Sequence, residues 1–351
     1  MWCCGVAPQK IMTAAIRVFV ASLFLFVPGV VGDLLAQANT GALPSQPPVS
    51  QVQPKERQRF WLAPDKATPN GTRYETFRSR IAGQDTSFLL SLPASYDASP
   101  NKRFPVIFYL HGSGVGQSSG ALSFLPRMQS LMVKGQVPES IVVFANGMDD
   151  LYYMDSKDGK YPTESVIVKE LVPYIDRTFR TIAKRDCRAV AGYSMGGYGA
   201  AHLGFKYPET FGVVASSSGG TMTWETLSEL PMGARILPLV YGSDREYFEA
   251  NNPSTLARRN AGQLRHTSVL LTVGSGEVFN VNGTIVDQPR ATRELHELLD
   301  SLSIPNTFIV EPGGHGKEFF EKASDAPFLF FHEAFGHCVS PERGTAAAAE
   351  R

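Results

Sequence analysis

Ser194 stands between Gly192 and Gly196 in "AVAGYSMGGYGAAHLG" (189–204), a G-x-S-x-G pattern where an apolar run passes into a helical one. In that pattern a strained strand-to-helix turn lifts a serine hydroxyl over the end of a parallel sheet. A serine hydroxyl is a poor nucleophile until a base takes its proton, and His315 in "GGHG" is the candidate base. A carboxylate must hold the second ring nitrogen of such a base in the right tautomer. Glu277 in "GSGE" is the candidate acid, and Asp287, ten residues on, is the alternative. The negative oxygen of a tetrahedral intermediate needs two backbone N–H donors. Met195, directly after the serine, is one candidate, and Ser113 in the "HGSG" loop (111–114) is the other. His111 reads as shaping that loop rather than as a base, and His202 and His266 read as packing or surface residues. The chemistry of such a set is attack of a hydroxyl on a carbonyl carbon, with transfer of an acyl group.

Short apolar runs must carry these residues. They are "PVIFYLHG", "SIVVFANG", "RAVAGYS", "FGVVASSSG", "TSVLLTVGSG" and "NTFIVEPGGHG", each ending in Gly, Ser, Asn or His. Continuous apolar runs suit strands buried on both faces of a parallel sheet. Ligands in such sheets bind beyond the carboxyl ends of the strands, where the candidate serine, acid and histidine all fall. Their chain order, Ser…Glu…His, is the order used on the α/β-hydrolase scaffold.

Between the runs lie helical segments. In "TESVIVKELVPYIDRTFR" (163–180) Ile167, Leu171 and Ile175 form one apolar stripe, and Pro173 is expected to kink the helix. After Ser194, Tyr198, Ala201 and Phe205 form another, ended by Pro208. "TRYETFRSRI" and "TSFLLSLP", joined by "AGQD", read as a hairpin. The sum is a mostly parallel sheet of eight strands with helices on both faces. Residues 219 to about 262 exceed a normal crossover and read as a lid or pocket wall, or else as a surface excursion with buried aromatics.

The chain resembles the esterase D / feruloyl esterase group of α/β-hydrolases, which includes S-formylglutathione hydrolases and the mycolyltransferase antigens. The resemblance rests on "FRSRIAGQDTSFLLSLPASYD", "KRFPVIFYLHGSG", "VKELVPYIDRTFR", "AGYSMGGYGAAHLGFKYPETFG", "NPSTLARRN" and "PGGHGKEFF", in order over most of residues 74 to 335. It implies a serine carboxylic-ester hydrolase without metal or cofactor. It also supports Ser194 as nucleophile, His315 as base, and Met195 with Ser113 as oxyanion donors. Glu277 stands where the family commonly has Asp, and Lys-Glu-Phe-Phe follows "GGHG" where many relatives place an aromatic residue.

Composition bounds the rest. Of 351 residues 43% are hydrophobic and 19% charged, with Lys+Arg and Asp+Glu balanced at 33 each. That balance disfavours nucleic acid or an acidic membrane surface as a partner. Residues 1–38 read as a Sec-type signal peptide, with "AAIRVFVASLFLFVPGVVG" before an "AQA" cleavage triplet and with Met12 as an alternative start. The expected destination is therefore the periplasm or the exterior, with no stable membrane span after cleavage. Residues 39–58 read as a Pro/Gln-rich linker, 59–340 as the catalytic domain and 341–351 as a disordered tail. Cys187 and Cys338 then remain in an exported chain, where a disulfide can persist. The expected substrate is a small-molecule or carbohydrate-linked ester with a short-chain acyl, aryl or hydroxycinnamoyl group. The alternatives are acyl transfer to a sugar, or ligand binding without catalysis on the same scaffold.

Overall fold

The computed structural model describes residues 59–339; the expected signal peptide, linker and C-terminal tail lie outside the described residues. The chain enters through the antiparallel pair β1 (Arg73–Arg78) and β2 (Asp85–Ser91), then β3 (Val106–Leu110). Helices α1 (Gln117–Ser123) and α2 (Leu125–Val133) lead to β4 (Ile141–Ala145). Next come α3 (Thr163–Val166), a π turn (Ile167–Leu171), α4 (Val172–Thr178), β5 (Arg188–Tyr193), α5 (Met195–Lys206) and β6 (Val213–Ser217). A helical insert follows: α6 (Trp224–Glu229), α7 (Gly233–Tyr241), α8 (Arg245–Asn251), α9 (Pro253–Arg259) and α10 (Ala261–Leu264). The chain continues with β7 (Ser268–Gly274), β8 (Val278–Val281), β9 (Thr284–Asp287), α11 (Gln288–Ser301), β10 (Asn306–Glu311), α12 (Lys317–Lys322) and α13 (Ala326–Val339).

Among the described residues eight strands form one sheet in the order β1-β2-β4-β3-β5-β6-β7-β10. Only the pairings of β2 with β1 and β4 are antiparallel. This is the expected mostly parallel α/β-hydrolase sheet. Strands β3, β4 and β5 are buried along their whole length, which is why their sequences run apolar without alternation. One face carries Phe108, Val143, Val190 and Val214 against α5, the α3–α4 segment and α11. The other carries Ile107, Tyr109, Ala191 and Ala215 against α1, α2 and α13.

Three local outcomes depart from expectation or add to it. Around Pro173 the backbone stays helical from Thr163 to Thr178 but widens into a π turn (Ile167–Leu171) just before the proline, which accommodates the N–H it lacks. In the insert both readings coexist: Tyr241 and Phe248 are buried, whereas Leu230, Pro231 and Met232 line a cavity beside Ser194. The β8–β9 hairpin, missed in the sequence, turns on Asn282-Gly283, both at positive φ; Asn-Gly between alternating apolar residues is a strong hairpin signal.

Cys187 and Cys338 form a disulfide with Cα atoms 5.9 Å apart. Cys187 lies just before β5, whereas Ser194 follows its other end. Six residues of strand, roughly 20 Å, separate the cross-link from that serine. No helix among the described residues is long and apolar enough to cross a membrane.

Candidate active site

Ser194 occupies the turn between β5 and α5 at φ 57° and ψ −119°. A side-chain-bearing residue is strained there, and the surrounding packing imposes it. A Cβ on Gly196 would stand 2.0 Å from the Leu110 carbonyl oxygen, and one on Gly192 would stand 2.3 Å from the Gly196 carbonyl oxygen. Backbone therefore packs on backbone on both sides of the serine, which is what the flanking glycines are for. The Ser194 N–H donates to the Ser217 carbonyl at 2.9 Å, which ties the turn to β6.

His315 arrives on the loop after β10. Its Nε2 lies 2.9 Å from Ser194 Oγ, and its Nδ1 lies 2.7 Å from Glu277 Oε2. A carboxylate accepts only, so it holds the proton on Nδ1 and turns the Nε2 lone pair toward the serine hydroxyl. Glu277, just beyond β7, is fully buried. Its other oxygen accepts from Ser218 Oγ at 2.6 Å and from the Gly274 N–H at 2.9 Å. A buried carboxylate is tolerable only when its lone pairs are met in this way. Asp287 instead caps α11, accepting from the Arg290 N–H at 2.9 Å. The histidine ring is held by aromatic neighbours: Tyr193 lies 4.9 Å away between ring centroids, and Phe279 of β8 meets it edge-on at 5.9 Å. The Tyr193 hydroxyl accepts from the Gly316 N–H, and burial pushes its pKa up, so it stays neutral.

The loop after β3 faces the same serine. A Cβ on Gly112 would lie 3.6 Å from Ser194 Cβ. His111 is buried and acts as a brace. Its Nε2 accepts from the Gly147 N–H, which leaves Nδ1 to donate to the Gly112 carbonyl at 2.9 Å. Burial lowers its pKa, which keeps the ring neutral. Two adjacent acids anchor the next two residues. Asp149 accepts from Ser113 Oγ at 3.1 Å and from the Gly114 N–H at 2.7 Å. Asp150, fully buried, accepts from Ser113 Oγ at 3.1 Å and from Arg235 of α7 at 2.6 and 2.9 Å. The segment that bears them is itself bent, with Met148, Asp150, Tyr152 and Tyr153 all at positive φ. Nothing in "ANGMDDLYY" points to this brace, because its partners lie far away along the chain.

Two cavities meet at Ser194 and His315. One, of about 560 Å³, is bounded by the 111–115 loop, Tyr193 and Phe320. The other, of about 380 Å³, is bounded by Met195, the insert and the β8–β9 hairpin. Met195 thus borders one cavity and Ser113 the other. His266 is exposed. His202 is wholly buried in a second ionic cluster, 2.6 Å from Glu164. Such an arrangement can pass a hydroxyl proton to an oriented imidazole while the oxygen attacks an electrophilic carbon between the two cavities.

Comparison with known proteins gives the same scaffold. The family model described as "Putative esterase" matches residues 79–326. An esterase of Mycobacterium tuberculosis is 29% identical over 264 residues, covering 69% of this chain and 55% of its own length. An endo-1,4-beta-xylanase/feruloyl esterase of Xylanibacter ruminicola is 30% identical over 60% of this chain and 30% of its own. The chain spans about half the length, or less, of these curated relatives. Among solved structures, a fluorophosphonate-binding serine hydrolase of Staphylococcus aureus aligns with a TM-score of 0.60 at 16% identity, covering 75% of this chain and 98% of that one. A ferulic acid esterase aligns with a TM-score of 0.58 at 22% identity, covering 76% and 95%.

Proposed function

The chain belongs to the esterase family of α/β-hydrolases, and on that premise we propose that it cleaves carboxylic esters through an acyl-enzyme on Ser194. The observation that carries this reading is the unbroken hydrogen-bonded chain Ser194–His315–Glu277, which starts at a strained hydroxyl and ends in a buried carboxylate.

Ser194 Oγ attacks the ester carbonyl as His315 Nε2 takes its proton. Glu277 stabilises the resulting imidazolium. The carbonyl oxygen becomes an oxyanion, for which the N–H groups of Met195 and Ser113 are the proposed donors; donors fixed by the fold need not reorganise during such a step. Collapse of the intermediate breaks the ester C–O bond, and the leaving alcohol takes the proton from His315. Water then attacks the acyl-enzyme by the same route, giving the carboxylic acid and restoring Ser194. The acyl group is short-chain, aryl or hydroxycinnamoyl. The names of relatives support that range, which include a feruloyl esterase and an acetyl esterase. The Cys187–Cys338 disulfide supports an exported protein, since such bonds persist in oxidising compartments.

The test is Ser194→Ala assayed on p-nitrophenyl acetate beside labelling with a fluorophosphonate. The expected result is one label per wild-type chain, none on the variant, and a fall in kcat of about 10⁶, as for removal of the serine in another serine hydrolase. Labelling of the variant at another serine would overturn the assignment.

A further inference from the structure

The sheet has a hollow directly behind the candidate nucleophile. Register places Tyr109, Ala191, Ala215 and Leu270 side by side across β3, β5, β6 and β7, on one face of the sheet. Two alanines between a tyrosine and a leucine leave a notch, because side chains on one face of a sheet stand in rows. The helices above do not fill it: Phe320 of α12 and Phe328 and Phe331 of α13 roof a cavity of about 180 Å³. This cavity adjoins the larger of the two at Ser194, sharing Tyr109, Leu122, Ser123 and Phe320 as wall. Its floor includes Gly192, two residues before Ser194 and therefore about 7 Å below it along the strand.

Three polar side chains at its wall have partners elsewhere. Arg127 pairs with Asp325 at 2.6 Å, Ser123 donates to the Ser119 carbonyl at 2.8 Å, and Ser217 accepts from Thr272 at 2.8 Å. The rest of the wall is largely apolar, and an apolar cavity of roughly 150 Å³ accepts a benzene-sized guest. We infer that this hollow is the acyl subsite, holding the apolar tail of the ester's acid half while the alcohol half occupies the open cleft. The inference rests on the esterase reading above. During turnover the alcohol must leave while the acyl group stays bonded to Ser194, so a recess behind the serine suits the half that stays.

The experiment measures kcat/KM for p-nitrophenyl esters of two to eight acyl carbons, and for acetate esters of alcohols over the same lengths. Burial of each methylene is worth about fourfold in affinity for the part that enters the hollow. The acyl series is expected to rise by tenfold or more between two and six carbons, while the alcohol series stays within about threefold. Ala215→Leu, which fills the notch, should lower the hexanoate-to-acetate ratio at least tenfold; Ala191→Val serves if the first variant does not fold. A flat acyl series with acetate still turned over would overturn the subsite and leave the esterase reading intact. So would a rise confined to the alcohol series, or an unchanged ratio in a folded variant. No turnover of any ester would remove the esterase reading, and the subsite with it.

Discussion

Two buried carboxylates in this molecule each meet a histidine, and they use the same pair of side chains to opposite ends. Glu277 meets His315 at 2.7 Å and Glu164 meets His202 at 2.6 Å. The difference lies at the second ring nitrogen. His315 Nε2 faces the Ser194 hydroxyl, a proton donor, and the ring keeps 32% of its side-chain surface exposed. His202 Nδ1 faces the Asn251 carbonyl, so both of its nitrogens point at acceptors and neither faces a hydroxyl whose proton it could take. Lys206 and the Tyr207 hydroxyl complete the shell around Glu164. The first pair ends in a reactive group at a cavity; the second closes on itself and staples α5 to α3 and to the end of α8. A carboxylate–histidine contact therefore says little about function until the ring's other partner is known.

The largest effect should follow from breaking the first pair. Glu277→Gln leaves an acceptor and a donor beside Nδ1 and permits the wrong tautomer, and the expected fall in kcat is about 10⁴ with the fold unchanged. Asp287→Asn should leave kcat within a few-fold and stability nearly unchanged, because asparagine caps a helix about as well as aspartate. A reversed order would move the acid to Asp287. Steady-state kinetics on both variants, with urea unfolding alongside, decides the matter.

Breaking the second pair should act on stability rather than rate. Glu164→Gln leaves buried partners uncompensated and is expected to cost about 3–5 kcal/mol. Burial alone would push the Glu164 carboxyl up, but His202 and Lys206 outweigh it and hold it down to about 2. In the unfolded chain a glutamate titrates near 4.3, so this stabilisation is complete above about pH 5. It is lost as the pH falls through the folded value near 2. Urea midpoints between pH 7 and pH 3 should therefore fall less steeply in Glu164→Gln than in the wild type. Parallel slopes would mean that the cluster does not govern the acid limb.

A smaller effect should come from a third buried acid, which sharpens the contrast because it acts on the site without touching it. Asp150 joins Arg235 of the insert to Ser113 of the loop facing Ser194. Asp150→Asn should slacken that loop and lower kcat about tenfold to a hundredfold, the scale of a misplacement of about 1 Å, with KM little changed. A change in KM alone would assign the brace to substrate binding. Restored kcat in a variant lacking the Arg235 contact would show that the insert plays no part.

Much of this was readable along the chain because it is local. Gly192-x-Ser194-x-Gly196 encodes a turn that only glycine can flank, since backbone meets backbone there. The apolar runs marked β3, β4, β5, β6 and β7, inner strands that must be apolar when buried on both faces, and also the edge strand β10. Strand ends then indicated where His315 and Glu277 would come out. The Asn282-Gly283 hairpin was equally local and was missed, although its turn signal is in the sequence.

What no local pattern carries is which distant groups meet. Glu164 and His202 are 38 residues apart, and Asp150 and Arg235 are 85 apart. Each pair is one polar residue on one element, with no periodicity to betray its partner. The hollow behind Ser194 is of the same kind: Ala191 and Ala215 are unremarkable in their own strands and become a cavity only when register sets them side by side. Residue types and short spacings dictated the turn, the strands and the chemistry on offer. Register and helix packing, set by long-range burial of apolar surface, decided which carboxylate reached His315, which histidine was sealed, and where the sheet was left open.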